Sequence, residues 1–452
     1  MNESYGDRFL KSSAEEKILP QEKLRNWGFR RLPIFQPREY RRPLVGLADE
    51  REKYIFEIVE QAKENARSGR YWRKWWGFGK SAFLWNICVD LNQRYFLNER
   101  LVEEEAKNRL ILALLFDDAS VPLNLALQKL FAGAQDIPFH YYNTPPAERV
   151  TFKEVVRKVV FSLLLYSIEA KRLEAEKILP KEYLAPQVKV TAIMSYMDNH
   201  PELLPKIMPL LLGYIQESVS GKGKAKQELA NGLCALLHAP TSEPFEKGWE
   251  NVRNRINYEW FFELLKLARI FAVFVFDQWE YASKGQIKIA NQITSAPARF
   301  PANHLAIVTR MRWEVTTKPS LILDMTTLME GLGPRIGPRD LNKKEAREFV
   351  TSILNEFRDG SPIPSTSHPL TDDAVDSLIE SSVIKQFKAI KPRRLGQLVQ
   401  EVLDVAFWRC DNVIDKKLLG TKPYKERLSM TLMREALETE EKEEAEAKAV
   451  IG

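Results

Sequence analysis

Apolar positions repeat along this chain with two different periods, and the alternation between them predicts the order of its elements. From Asp49 to about Arg67, the residues Ile55, Ile58, Val59 and Ala62 fall on one face of a helix. Asp49 is placed to cap it, Glu52 follows as in a capping box, and Gly69 is expected to end it. A second stripe of Phe83, Leu84, Ile87, Cys88, Leu91 and Tyr95 predicts a helix over residues 82–96. The apolar run Arg109–Phe116 ends in Asp117 and Asp118; its length suits an inner strand, and a buried helix segment would read the same way. From Thr144 to about Arg269 the period turns helical. Phe152, Val155, Val156, Val159, Val160, Leu163 and Leu164 mark one long amphipathic helix, and Pro180, Pro186, Pro201, Pro205, Pro209 and Pro244 divide the remainder of this region. The clearest strand is Ile270–Phe276, closed by Asp277, Gln278, Trp279 and Glu280; Leu305–Val308 is another, ending in Thr309 and Arg310. Beyond the Gly- and Pro-rich residues 331–338, Asn342 and Glu345 form a capping-box start. Thr371 starts a further helix and Lys391–Pro392 a third, so residues 341–410 read as a small helical bundle.

With 452 residues and 44% apolar content, the chain can bury a large core spread over two or three domains. It has no apolar run of membrane-spanning length, and its first residues lack the layout of a signal peptide, which predicts a cytoplasmic protein with no membrane partner. Cys88, Cys234 and Cys410 are far apart, and the five His form no ligand-spaced cluster with them; buried small hydrophobes are the expectation for all three Cys. The net charge of +6 is unevenly placed. Residues 23–42 carry seven Lys or Arg against one Glu, and residues 435–448 carry seven Glu against two Lys. The basic stretches 23–42 and 67–74 are interleaved with Trp27, Phe29, Tyr40, Tyr71 and Trp72, a composition that suits a polyanion surface.

The candidate chemistry is concentrated between Arg70 and Leu84. A phosphate cradle needs small residues that let backbone N–H groups approach, a Lys to reach the outer phosphates and a hydroxyl for Mg2+. Gly77, Gly79, Lys80 and Ser81 supply these in order, and Ala82 opens the helix that comes next. Lys74 stands where the full pattern has Gly, and Tyr71-Trp72-Arg73 matches a buried apolar strand poorly. Asp277, at the end of an apolar strand, is the carboxylate expected beside a Mg2+ held by Ser81; Lys80 and Asp277 would then come from two strands lying side by side. Thr309, at the tip of a neighbouring strand, can hold a water or sense a terminal phosphate. Upstream, Val45 and Gly46 form a turn before an acidic-start helix, a layout that fits the adenine side of a nucleotide site. The string Ser220–Lys224 imitates a second cradle, but no strand precedes it and no hydroxyl comes after it, so a flexible basic turn is expected.

Taken in order, Pro43-Leu44-Val45-Gly46, Gly77-Phe78-Gly79-Lys80-Ser81, Phe274-Val275-Phe276-Asp277, Ile307-Val308-Thr309 and Pro392-Arg393-Arg394-Leu395 resemble the AAA+ P-loop ATPases, closest to archaeal initiator-like proteins and related archaeal ATPases. The resemblance implies an α/β fold: a P-loop parallel sheet flanked by helices, with a large helical insertion and a C-terminal helical lid. It implies an N-terminal arm and docking loop over 1–42, a core over 43–330 with an insertion at about 144–269, a lid over 331–410 and a helical, acidic tail over 411–452. It also implies ATP and Mg2+ as ligands. Gly77, Gly79, Lys80, Ser81, Ala82 and Val45 would bind nucleotide, Ser81 and Asp277 would hold the metal, Thr309 would sit at sensor 1, and Arg393 would be the lid arginine.

Gln278 stands where a catalytic Glu is usual, with Glu280 two residues on, which leads to an expectation of slow hydrolysis. Two functional classes are compatible with these features. One is a nucleotide-driven switch on nucleic acid, with DNA held by the basic segments 23–42 and 67–74. The other is a nucleotide-gated assembly ATPase that takes protein partners through the insertion 144–269. The resemblance also implies homo-oligomers.

Overall fold

The computed structural model describes residues 20–32, 46–64, 68–73, 79–100, 110–116, 121–141, 144–185, 188–218, 224–277, 304–310, 339–384 and 388–434. Its centre is a four-stranded, all-parallel sheet of β1 (Ser68–Arg73), β2 (Leu110–Phe116), β3 (Ile270–Phe276) and β4 (His304–Arg310), in the spatial order β1-β4-β3-β2. Every residue of β2 and β3 is buried, which explains why these two read as uninterrupted apolar runs: a parallel strand covered on both faces has no polar side to show. The ambiguity between strand and helix is thereby resolved as a strand over Leu110–Phe116. The segment Tyr71–Arg73 is also a strand despite its composition, and Gly69 lies inside β1 instead of ending the preceding helix. Backbone pairing along β4 outweighs the weak local preference there.

Alternate residues of the strands separate two cores. Ile111, Ala113, Leu115, Phe271, Val273 and Val275 face one layer, formed by α2 (Ala48–Glu64) and α3 (Lys80–Leu91). A shorter helix, α1 (Pro20–Asn26), precedes these in the chain. Tyr54 of α2 meets Phe83 of α3 edge to face with ring centroids 5.5 Å apart. Asp49 lies within the first turn of α2, and Glu52, expected as a capping-box partner, instead pairs with Arg94 at 2.6 Å. The predicted single helix over 82–96 is divided: α3 passes into a π-helical turn, Asn92–Leu97.

Leu110, Leu112, Leu114, Phe116, Ile270, Ala272, Phe274 and Phe276 face the other layer, a helical block. Its members are α4 (Leu123–Phe131), α5 (Phe152–Ala170), α6 (Val190–Asn199), α7 (Leu204–Ser218), α8 (Lys224–Ala235), α9 (Glu243–Arg255) and α10 (Tyr258–Leu267). Residues 144–269, expected as an insertion, make up most of this sheet-covering layer, and α4 precedes them in it. Thr151 and Glu154 form a reciprocal capping box at the start of α5. Two prolines expected to divide the chain do not: α7 runs through both Pro205 and Pro209. Pro205 occupies the first turn, where no donor is needed, and Pro209 forfeits a single i to i−4 bond. Residues 219–223, which include most of the expected basic turn, lie outside the described residues.

The third core belongs to a C-terminal helical module of α11 (Lys343–Glu356), α12 (Asp372–Ser382) and α13 (Pro392–Arg409), with a two-stranded antiparallel ribbon, β5 (Val383–Ile384) and β6 (Ala389–Ile390). Asn342 and Glu345 cap α11 as expected. Two further segments join this core. Trp27 and Phe29 are buried in it, with the Trp27 indole donating to Asn412 O at 3.1 Å, and Tyr424, Leu428 and Leu432 pack from the helical residues 422–434. Cys88 and Cys234 are buried as expected. Cys410, expected to be buried, is exposed; it is the residue just past the end of α13, in left-handed conformation (φ 62°).

Candidate functional site

The four strands point the same way, so their carboxyl ends form one edge of the sheet. Asp277 comes directly after β3 at that edge, and its backbone N–H continues the pairing by donating to Phe116 O at 2.9 Å. Phe276 pairs with Val308 and Trp72 with Thr309; one residue further along, Thr309 stands level with Asp277 on one side and Trp72 on the other. Residues 74–78 separate the end of β1 from Gly79, where α3 begins, so the start of α3 returns to the same edge.

Gly79 takes a left-handed conformation (φ 78°, ψ 17°) that a residue without Cβ adopts at no steric cost, and no described heavy atom lies within 4 Å of where a Cβ would stand. Its carbonyl accepts the first helical hydrogen bond, from Phe83 N at 2.9 Å. Gly79 has no side chain with which to cap this N-terminus, and the first turn of α3 carries no acidic residue. Helix N-terminal N–H groups have no intrahelical acceptors, and the helix dipole adds positive potential there.

Into this edge the Ser81 hydroxyl, half-buried, donates to the carboxylate of Asp277, which is 2% exposed. A hydroxyl and a buried carboxylate thus converge at a helix N-terminus over the carboxyl ends of the strands. β4 lies between β1 and β3, so the cradle strand and the carboxylate strand are not the neighbours expected; α3 reaches Asp277 across the tip of β4.

The remaining expected site residues divide into two groups. Val45, Lys74, Gly77, Gln278 and Glu280 lie outside the described residues, as do the side chain of Thr309 and the basic residues 33–42. Lys80 and Ala82 stand in the first turn of α3 beside Ser81. Arg393 is in the first turn of α13, in the C-terminal module, and no described contact joins it to Ser81 or Asp277. Of the basic N-terminal segment, Arg25, Arg30 and Arg31 are exposed on that module. Arg30 donates to Glu356 O at 2.8 Å, and the Arg31 guanidinium lies 5.2 Å from the Phe357 ring.

A supporting network behind the cradle was not anticipated. Asn86, fully buried on α3, donates to Ala82 O at 2.8 Å and accepts from Arg51 at 3.5 Å. Arg51 in turn meets Asp90 at 2.9 Å. Burial raises the Asp90 carboxyl above its ordinary range, partly offset by Arg51 and Arg94. The visible signal was an Asn inside an apolar helical stripe, which requires buried partners.

Among the described residues no helix is long and apolar enough to cross a membrane. Nor does any described group of three or more His, Cys, Asp or Glu assemble a metal site. No family model matches the chain, and neither a curated protein nor a solved structure does.

Proposed function

We propose that this chain binds ATP with Mg2+ as an AAA+-type P-loop protein and uses occupancy of that site as a slow switch on nucleic acid. One observation carries the reading: Ser81, in the first turn of a helix opened by a left-handed Gly, donates to the buried carboxylate that ends a parallel strand. Mg2+ keeps several waters and is held by one or two protein oxygens together with phosphate, so a hydroxyl and one carboxylate are a sufficient protein share. In this reading Lys80 reaches the outer phosphates and the N–H groups of residues 79–82 cradle them.

Gln278 can orient a water and is a negligible base, which supports slow hydrolysis; Gln278→Glu is expected to raise the basal rate, and Glu280→Gln to change it little. The exposed Arg25, Arg30 and Arg31 support a polyanion partner. The second reading, nucleotide-gated protein assembly through the insertion 144–269, draws on Leu173, which is 79% exposed.

Calorimetry with Mg·ATP on the wild-type chain and on Lys80→Ala tests the nucleotide site: binding by the wild type and none by the variant is expected. Absence of wild-type binding at millimolar nucleotide overturns the reading. A salt titration of DNA binding separates the two partner classes, since a phosphate-contacting surface loses affinity steeply with salt.

A further inference from the structure

The C-terminal module touches the layer that carries the candidate cradle through one unusually well-connected side chain. Glu345 is the third helical residue of α11, and its carboxylate is the acceptor half of that helix's capping box, receiving Asn342 N at 2.9 Å. Arg339 grips the same carboxylate with both terminal nitrogens, each at 2.6 Å, in the fork geometry that makes such pairs strong. A fourth donor arrives from a remote part of the chain: Leu47 N lies 3.5 Å from Oε1. Glu345 is 8% exposed despite its charge, and the Arg339 fork holds its carboxyl down at about 2.

The surface that receives it is shaped for the purpose. Gly46 and Leu47 both take left-handed conformations (φ 73° and 55°), turning the Leu47 N–H toward the carboxylate. A Cβ on Gly46 would stand 3.1 Å from the Glu345 Cβ, so the turn is closed against this side chain. Leu47 is buried in the core shared by α2, α3 and one face of the sheet, and Leu341 packs against that core from the module side. From this turn α2 runs directly onto α3, joined by the Tyr54–Phe83 contact and the Arg51 links to Asn86 and Asp90.

We propose that Glu345 is a positioning residue that keys the C-terminal module onto the Gly46–Leu47 turn and so couples the placement of that module to occupancy of the nucleotide cradle. The proposal rests on the nucleotide reading above. Coupling of this kind is reciprocal: if nucleotide favours the keyed arrangement, then the keyed arrangement favours nucleotide by the same factor.

The test combines amide hydrogen exchange with Mg·ATP binding on the full chain, comparing wild type with Glu345→Ala, Glu345→Gln and Arg339→Ala. In the wild type, Mg·ATP is expected to slow exchange at residues 46–52 and 343–346 as well as at 79–84. Glu345→Ala should weaken Mg·ATP affinity by about five- to a hundredfold, the usual span of coupling factors, and abolish the ligand-dependent slowing at 46–52 while sparing 79–84. Glu345→Gln keeps a carbonyl acceptor and should recover part of both effects. Arg339→Ala removes only the half-exposed partner and leaves the backbone bonds, so it reports on the key even where Glu345→Ala folds poorly. Wild-type affinity and wild-type slowing at 46–52 in Glu345→Ala and Arg339→Ala overturn the proposal alone. A wild-type chain that binds no nucleotide overturns the reading beneath it, and that is seen before any variant is compared.

Discussion

The Ser81 hydroxyl donates to the Asp277 carboxylate across 196 residues of chain, at the edge where all four parallel strands end. Asp277→Asn preserves a polar partner for Ser81 and removes the negative charge. The fold should therefore survive, with a thermal transition close to that of the wild type. Affinity for Mg·ATP should fall about tenfold or more, an energetic loss of about 1.4 kcal/mol at the lower bound. Affinity for ATP in excess chelator should change little, because in the proposed site the lost charge would face the cation. Titrations with and without Mg2+ check this, and equal losses in both would show that Asp277 serves the fold alone.

Glu99 and Lys158 form an ion pair at 2.8 Å with side chains only 5% and 4% exposed. The Glu99 carboxylate also accepts from Val190 N and Thr191 N at 2.6 and 2.8 Å, so one buried charge joins the end of the π-helical turn, α5 and the start of α6. Burial lowers the Lys158 ammonium below its ordinary range, opposed by Glu99. Lys158→Met strands the carboxylate and should cost about 3–5 kcal/mol, whereas Lys158→Met with Glu99→Gln should recover much of the loss. Denaturant unfolding of the single and double variants measures both; a double variant as unstable as the single one would contradict this account.

One distinction separates the elements that the sequence displays from those that it conceals. Where both faces of an element are buried, as in Leu110–Phe116 and Ile270–Phe276, composition alone marks the strand. Where local chemistry sets a helix end, as at Asn342, Thr371 and Pro392, the start is visible to the residue. β1 was hidden because its pairing with β4 is set by residues more than two hundred positions away. Ser81 and Asp277 were legible because their residue types and strand context are themselves the signal. The insertion of β4 between β1 and β3 was not, since strand order is fixed by packing that no local pattern records. Glu345 was visible only as a cap; its bond to Leu47 depends on how two separate cores meet.

Asn92 closes the outer edge of the sheet. Its side chain donates to Ala113 O and Pro138 O, each at 2.9 Å, and accepts from Ala113 N at 2.8 Å, while Gln135 covers Leu115 O at 3.2 Å. β2 thus ends the sheet without an open row of donors and acceptors. Asn92→Leu fits the volume and orphans three buried groups, each worth about 1–3 kcal/mol. The expected result in urea is a lower midpoint with an unchanged slope; an unchanged midpoint would mean that water or a shifted neighbour replaces the amide.

Asp404, on α13, faces the helical residues 422–434. Burial pushes its carboxyl up to about 6, Glu401 adds to the rise, and Arg427 and a hydrogen bond from Gln400 oppose it. Arg427 is already committed to Glu401, with which it forms an ion pair. The folded value lies above that of an unfolded Asp, about 3.9, so the folded state binds the proton more tightly. The stability this confers is fully present below about pH 4, declines as the pH rises toward 6, and is gone above it. Asp404→Asn cannot ionise and should lose none of it. The variant is therefore expected to match the wild type near pH 4 and to exceed it in unfolding free energy by pH 8, with the gap opening between those values. Parallel stability curves across that range would mean that the carboxylate is solvated in the folded chain and that α13 and residues 422–434 are not pressed together at this point.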